Sequence, residues 1–574
     1  MTTTPALGRW LASLRGGVST KGVILSVVAG VVTFLVLYPL AWLVIGSFLG
    51  ERAVTGSGAD AFQGYAALFS EMELVRNSAV VGVGSTVVAV VLGVCLAWIT
   101  TRTNIPWRGA LDKLVLVPFF ITPLLGAVGW AILASPGRGG LLNNIIASTF
   151  GLDEGPLNVY TPWGIIFVTG IYYVPFSYLF VAGALRSMDS ALEEGSKILG
   201  GGNLKTALKI TLPLIKPAIV GSSLLVFVLS IGQFGVPAVL GMPHGYLVLT
   251  TRMYQHVAGF LPNYGAAAAM GLSLFMVTVV GVYLQFKVLG TRSYVTVTGR
   301  GFRPKLLEVG AWKWPLFIFG FGFVAVAVVL PMGAIVFTSL LKFVTSTLSG
   351  AVYTLENYRY VLFELSTTKV SIRNTIGLAF GGATLALVLC CAVAWIVHRT
   401  ELRGRKLLEY VAMVPIAIPG IVFSLGLLWA WIRVSYIPMY GTIWIVLIAY
   451  ITVFLPYGIR AVGANLVQID SSLEECASVC GAKWSRVLRT ITLPLLKPGL
   501  WAGWTLLFVS MIKELSASAL LVNSRTMVLS VQVFDLWVGS SFTRVAALSL
   551  IQTALIFVCL LWVRRIGGIR AMGL

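Results

Sequence analysis

The chain has 574 residues, of which 58% are hydrophobic and only 11% charged, under half the ~25% charge of a soluble globular domain. Forty-one Lys and Arg against 20 Asp and Glu leave a formal net charge of +21. This balance excludes a water-soluble enzyme, a disordered tail and a nucleic-acid-binding domain, because no soluble surface hides so much apolar area and lipid is the remaining solvent.

A helix needs about 20 mostly apolar residues to cross a bilayer. Taken in chain order, the predicted spans are 22–48, 78–100, 114–134, 161–185, 215–240, 266–289, 314–340, 375–397, 408–432, 440–460, 498–521 and 545–563. The first follows Arg9, Arg15 and Lys21, is too long for a signal-peptide core and has no small-residue cleavage site after it, so it is read as retained. Spans 215–240 and 498–521 are the least uniform, containing polar or charged residues. Alternating ten-residue strands are absent, which argues against a β-barrel. About twelve spans predict an all-α integral membrane protein with both termini on one side. Most Lys and Arg fall in the segments on that side, including Lys287, Arg292, Arg300, Arg303, Lys305 and Lys313. The positive-inside rule therefore places both termini in the cytoplasm. The net charge is mainly a topology signal, with contact to anionic membrane lipid as a by-product. Cys95, Cys390, Cys391 and Cys559 lie in apolar runs, and Cys476 and Cys480 share a helix face. Two ligands do not close a metal site, so no metal is expected on this chain.

The second half of the chain repeats the first. At an offset of 297, Arg76-Asn77-Ser78 meets Arg373-Asn374-Thr375, and Trp98, Arg102 and Pro118 meet Trp395, Arg399 and Pro415. The offset then drops to 281, where Pro175 meets Pro456, because the loop 135–160 carries an insertion. The predicted division is a first repeat at 1–290, a linker at 291–313 and a second repeat at 314–574. Six spans each make the halves parallel repeats about an axis along the membrane normal, and their interface is the natural place for solute passage.

The best-matched stretch lies outside the spans. Residues 192–217 read LEEGSKILGGGNLKTALKITLPLIKP and residues 473–498 read LEECASVCGAKWSRVLRTITLPLLKP, with eleven identities and no gap. A Glu in the first turn suits a helix N-terminus, and Gly six residues on permits a sharp turn. A second basic helix then runs into Leu-Pro, since Pro is tolerated in a helix's first turn. This predicts a helix–turn–helix bracket on the membrane face. A docking element explains the duplicated detail better than an amphipathic helix resting on lipid.

The pattern Glu-x5-Gly followed by Ile-x-Leu-Pro resembles the EAA loop of permease subunits in bacterial binding-protein-dependent ABC importers, with Gly195-Ser196 and Cys476-Ala477 as the small residues after each Glu. The resemblance covers both halves and implies a type I importer permease fold in the bacterial inner membrane. By position it makes Glu194, Gly200, Leu212 and Pro213, with Glu475, Gly481, Leu493 and Pro494, the ATPase-coupling residues. The chain has no GxxxxGK[ST] phosphate loop. The resemblance therefore implies no catalytic residue here, no cofactor bound by this chain, and ATP and Mg on two copies of a partner ATPase. It also implies a periplasmic or lipid-anchored solute-binding protein.

A fused two-by-six chain resembles the ferric-iron permease group, whose relatives include phosphonate, sugar-phosphate and thiamine systems; polyamines are a further candidate solute. Gln233-Phe234-Gly235-Val236-Pro237 resembles an Asp-Phe-Gly-x-Pro stretch of that group and Lys513-Glu514-Leu515 a Lys-Glu-Leu stretch, with Gln233 for the usual acid and Ser516 for the usual Pro. Gln233 and Glu514 are repeat equivalents. Buried ionisable groups mark a pathway or an interhelical tie, and both readings stay open for Gln233, Lys513 and Glu514. The loop 241–264 holds His244, Tyr246, Arg252, Tyr254 and His256, side chains of ferric-ligand type without ligand spacing. An ordinary loop that touches the binding protein is the better reading, and the long loops 50–75 and 341–373 suit that contact better still. An ion-coupled secondary transporter would leave the duplicated brackets without a purpose, and a membrane enzyme would need a catalytic cluster that three scattered His do not make.

Overall fold

The computed structural model describes residues 20–49, 62–137, 139–188, 191–289, 306–345, 351–432, 434 and 437–567. Arg9 and Arg15, most of the linker with Arg292, Arg300, Arg303 and Lys305, and parts of the long loops (50–61 and 346–350) lie outside the described residues.

Among the described residues ten helices are long and apolar enough to cross a membrane. Five belong to the first half: Gly22–Leu49, Met72–Arg102, Pro162–Ser187, Ala207–Ile231 and Tyr264–Leu284. Five belong to the second: Gly310–Ser339, Ser366–Arg399, Ile443–Val467, Trp484–Ile512 and Phe542–Val563. Two bent pairs complete the twelve, Arg108–Phe120 with Pro123–Ala134 at 96° and Arg405–Ala417 with Gly420–Ile432 at 109°.

The predicted spans 114–134 and 408–432 are therefore sharply broken helices. The cause is local. Pro123 and Pro419 push the residue before them out of the helical region, and Thr122 is extended at ψ 141. Thr122 then caps the outgoing helix, its Oγ1 accepting from the Leu125 N–H at 3.1 Å. The expected spans 215–240 and 498–521 also end early. Their helices stop at Ile231 and Ile512, and the apolar residues beyond fold as a separate short helix, Gly235–Leu240, and a series of turns.

Packing follows the repeat. Met72–Arg102 lies along Pro162–Ser187, and Ser366–Arg399 lies along Ile443–Val467. A Cβ on Gly93 would sit 2.7 Å from the Ser177 Cβ, and one on Gly458 would sit 2.5 Å from the Cys390 Sγ. Gly93 is the repeat equivalent of Cys390, and Ser177 of Gly458. Each crossing thus has one glycine and one small partner, with the helix carrying each exchanged between halves. Close approach needs only one missing side chain per crossing.

The first helix of each half crosses over to the other. Thr20–Leu49 packs on Gly420–Ile432, and Leu330–Ser339 packs on Pro123–Ala134. A Cβ on Gly129 would meet the Pro331 carbonyl oxygen at 2.7 Å, and one on Gly426 the Pro39 carbonyl oxygen at 2.6 Å. These matched contacts fasten the halves about their shared axis.

Candidate functional site

The two brackets build the same shape from different residues. Their first helices are Ala191–Ile198 and Ser472–Val479, with two glutamates in each first turn. Gly200 and Gly481 end them in the left-handed region, at φ 78° and 82°. The Gly201 N–H then donates to the Ser196 carbonyl at 2.8 Å, and the Ala482 N–H to the Ala477 carbonyl at 3.0 Å. This closure satisfies carbonyls that the helix end would leave open. Apolar residues at the bend are left bare, with Leu199 and Val479 each 88% exposed.

The second bracket helices run without interruption into the next spans. Each passes through a widened π-helical turn, Ala207–Thr211 and Leu488–Thr492, just before Pro213 and Pro494. Proline lacks the N–H and crowds the carbonyl four residues back. A wider turn relieves that crowding, and such turns recur at functional positions. Leu212 and Leu493 are exposed beside them, as are the prolines.

Glu194 and Glu475 point outward, whereas the preceding Glu193 is buried and Glu474 half-buried. The Thr211 hydroxyl donates to Glu193 Oε1 at 2.6 Å, and the Thr492 hydroxyl to Glu474 Oε1 at 2.8 Å. Facing each carboxylate is the last arginine of a long helix: Arg102 Nε lies 3.6 Å from Glu193, and Arg399 Nε 3.5 Å from Glu474. Arg102 also donates to the Leu185 carbonyl at 3.0 Å, and Arg399 to the carbonyls of Leu466 at 3.1 Å and Ile469 at 2.5 Å. Sequence reasoning missed this pairing. The doubled Glu and the matched arginines were visible, but nothing linear says that residues 91 apart in one half and 75 apart in the other share one contact.

Gln233 lies just past the end of its span at Ile231, and Lys513 and Glu514 just past theirs at Ile512. Adjacent positions on a continuous helix would point about 100° apart, but Lys513 and Glu514 follow the helix end at Ile512 and escape that constraint. Lys513 reaches across to the first half, donating to the Phe119 carbonyl at 2.5 Å with its ammonium 4.1 Å from the Phe119 ring centroid. That is a tie between halves. Glu514 Oε1 accepts from the Ala517 N–H at 2.8 Å and so caps its own turn. Its backbone carbonyl accepts from the Ser530 hydroxyl at 2.5 Å, and the Gln233 carbonyl accepts from the Thr250 hydroxyl at 3.0 Å. The repeat thus holds Gln233 and Glu514 in matching frames.

One residue past Gln233, the rings of Phe234, Tyr254 and Phe534 pack together at 5.1, 5.3 and 5.6 Å between centroids. They come from both halves and pack across the interface between them. The other residues of the loop 241–264 scatter. His244 stacks on Tyr160 at 4.1 Å, and Arg252 pairs with Glu71, which raises the guanidinium's pKa. Among the described residues no group of three His, Cys, Asp or Glu could hold a metal, and all six cysteines are free. Asn77 and Asn374 of the matched Arg-Asn-Ser/Thr motifs bind loop carbonyls at Leu247 and Met527, while Ser78 and Thr375 accept from the N–H of Leu249 and Leu529. That motif is a structural clasp.

Two parallel helical repeats, aromatic packing between them and a bracket on each define a multi-pass membrane permease. The chain belongs to the family described as binding-protein-dependent transport system inner membrane component, which matches it twice, over 89–292 and 386–567. It is a fused, two-domain permease of an ABC importer in the inner membrane. The FbpB 1 chain of Haemophilus influenzae, named for ferric transport, is 31% identical over 77% of this chain and 69% of its own. The ferric transport system permease protein FbpB of Actinobacillus pleuropneumoniae is 28% identical over 92% of this chain and 75% of its own. The molybdenum transport system permease protein ModB of Escherichia coli is 27% identical over 28% of this chain and 69% of its own.

Proposed function

We propose that this permease carries ferric iron, delivered by a solute-binding protein on the periplasmic face and driven by two copies of an ATPase seated under the brackets. Both termini then lie in the cytoplasm, with 1–290 and 314–574 as the two repeats. ATP and Mg act on the partner subunits, and this chain supplies no hydrolytic group. The observation that supports the solute is the length of the match: the relatives named for ferric transport span both halves of this chain. Those named for molybdenum, for spermidine and putrescine, or for 2-aminoethylphosphonate match less than half of it. Binding-protein systems for phosphonate, sugar phosphate, thiamine or polyamine are the competing solutes within the same class.

Glu194–Gly200 and Glu475–Gly481 form the coupling surface, with Leu212, Pro213, Leu493 and Pro494 joining it to the spans. Exposed apolar residues at each bend support that reading, since a duplicated bare patch needs a duplicated partner. Gln233 and Glu514 flank the path, Gln233 next to the aromatic cluster in the chain, and Lys513 ties the halves together. Radiolabelled uptake by cells holding this permease, its ATPase and the binding protein encoded beside it tests the solute directly. Ferric iron should accumulate and phosphonates, thiamine and polyamines should not; uptake of one of those instead overturns the iron reading. In the same assay Glu514→Gln should impair uptake with the complex still assembled, and unimpaired uptake removes Glu514 from the path.

A further inference from the structure

We propose that Arg102–Glu193–Thr211 and Arg399–Glu474–Thr492 are twin transmission links, which turn displacement of each bracket into movement of the long helix ending at its arginine. The inference rests on the coupling reading of the brackets and identifies the positioning residues behind it.

Each link joins four pieces of chain at one carboxylate–guanidinium contact. The Glu comes from the first bracket helix and the Thr from the π-helical turn at the bracket's exit. The Arg is the last residue of Met72–Arg102 or Ser366–Arg399, and it also grips carbonyls at the end of Pro162–Ser187 or Ile443–Val467. The Arg and Glu side chains are 0% and 8% exposed in the first half, and 11% and 19% in the second.

Stability alone does not explain the arrangement. A buried ion pair is often no better than an apolar pair of the same volume, and Arg102 Nε and Nη1 have no hydrogen-bond partner among the described residues. The neighbouring polar cluster offers a control within the molecule. In the first half Tyr178 bonds Asp112 and Thr100, and Arg186 bonds Asp112 at 2.5 Å. The repeat equivalents of Thr100, Tyr178 and Arg186 are Val397, Ile459 and Val467. Three of that cluster's four positions have become apolar in the second half, with Glu409 standing at the position of Asp112, while the link has kept all three residue types. The Thr–Glu hydrogen bond fixes each carboxylate's direction and the ion pair holds the helix end to it, where a greasy contact would slide. Breaking the link should leave the motor attached and disengage the helices.

The test uses the full complex of permease and ATPase and needs no solute. Spin labels are placed at Leu261→Cys and Val538→Cys, exposed sites on different halves, in a background with the native cysteines replaced by alanine. The inter-label distance distribution is measured with and without ATP, Mg and vanadate. We expect a nucleotide-driven shift in the parent. In the Glu193→Gln/Glu474→Gln variant the shifted population should fall about tenfold, the size of an ordinary coupling energy, with ATPase binding, hydrolysis and the thermal midpoint retained. Thr211→Val/Thr492→Val removes only the hydroxyl donors and should give a partial loss, which keeps the test usable if the double Gln variant does not fold. A parental shift in both variants overturns the proposal, as does loss of ATPase binding by a stably folded variant, which would make these residues docking groups. A parent that binds no ATPase overturns the coupling reading itself, and the links with it.

Discussion

At residues 200 and 481 a side chain would meet nothing within 4 Å, yet φ is 78° and 82°. The glycines are there for backbone freedom and not for space. An alanine in the left-handed region costs about 1 kcal/mol, so Gly481→Ala should leave global unfolding nearly unchanged and loosen one bracket. Hydrogen exchange should report about fivefold weaker protection of the 472–482 amides, and unaltered protection would contradict the turn's role. His256 makes the pH argument. Desolvation, then the charge of Arg252, lowers its pKa, so the fold accepts the neutral ring and resists the cation. The unfolded chain takes up that proton near pH 6.5. The contribution is present above that value and is lost as the pH falls through the lowered folded pKa. A thermal-melt series should show this acid loss diminished by His256→Gln; an identical pH profile in that variant would exclude the histidine as its source.

At the scale of elements, the exchanged small residues make a sharper prediction. Gly458→Ser should drive a side chain into Cys390 and destabilise the helix crossing by about 1–3 kcal/mol, an overpacking cost. Adding Cys390→Gly recreates the Gly93/Ser177 arrangement of the other half and should recover most of that loss in the detergent-solubilised melting temperature. Two losses that merely add would mean the crossings are not equivalent. The same scale shows what sequence could and could not reveal. Apolar length located the spans, because lipid demands it regardless of partner. Helix breaks at Thr122 and Ile418, and the early ends at Ile231 and Ile512, were hidden inside continuous apolar runs, since hydropathy does not register backbone direction. Proline spacing was the available signal, with Pro118, Pro123, Pro415 and Pro419 clustered where a straight span was expected. The brackets were legible because eleven identities stand out against drifting spans. Glu193 and Glu474 were not separable from their neighbours, since which of two adjacent glutamates turns inward depends on an arginine far along the chain.

Across the whole molecule, the crossed first helices make the halves interdependent. Gly129→Val and Gly426→Val each place a side chain against a proline carbonyl of the other half. Either should lower the melting temperature, and the pair should do so nearly additively because the sites are separate. A double variant that melts with the parent would mean the crossing does not hold the halves together. The central claim is that both brackets engage a motor. Photo-reactive residues at Leu199 and Val479, equally exposed on the two bends, test it most directly in membranes containing the co-expressed ATPase. The account predicts ATPase adducts from each position, and a doubly substituted chain that carries two copies. Adducts from one bend only, or from neither, would contradict it.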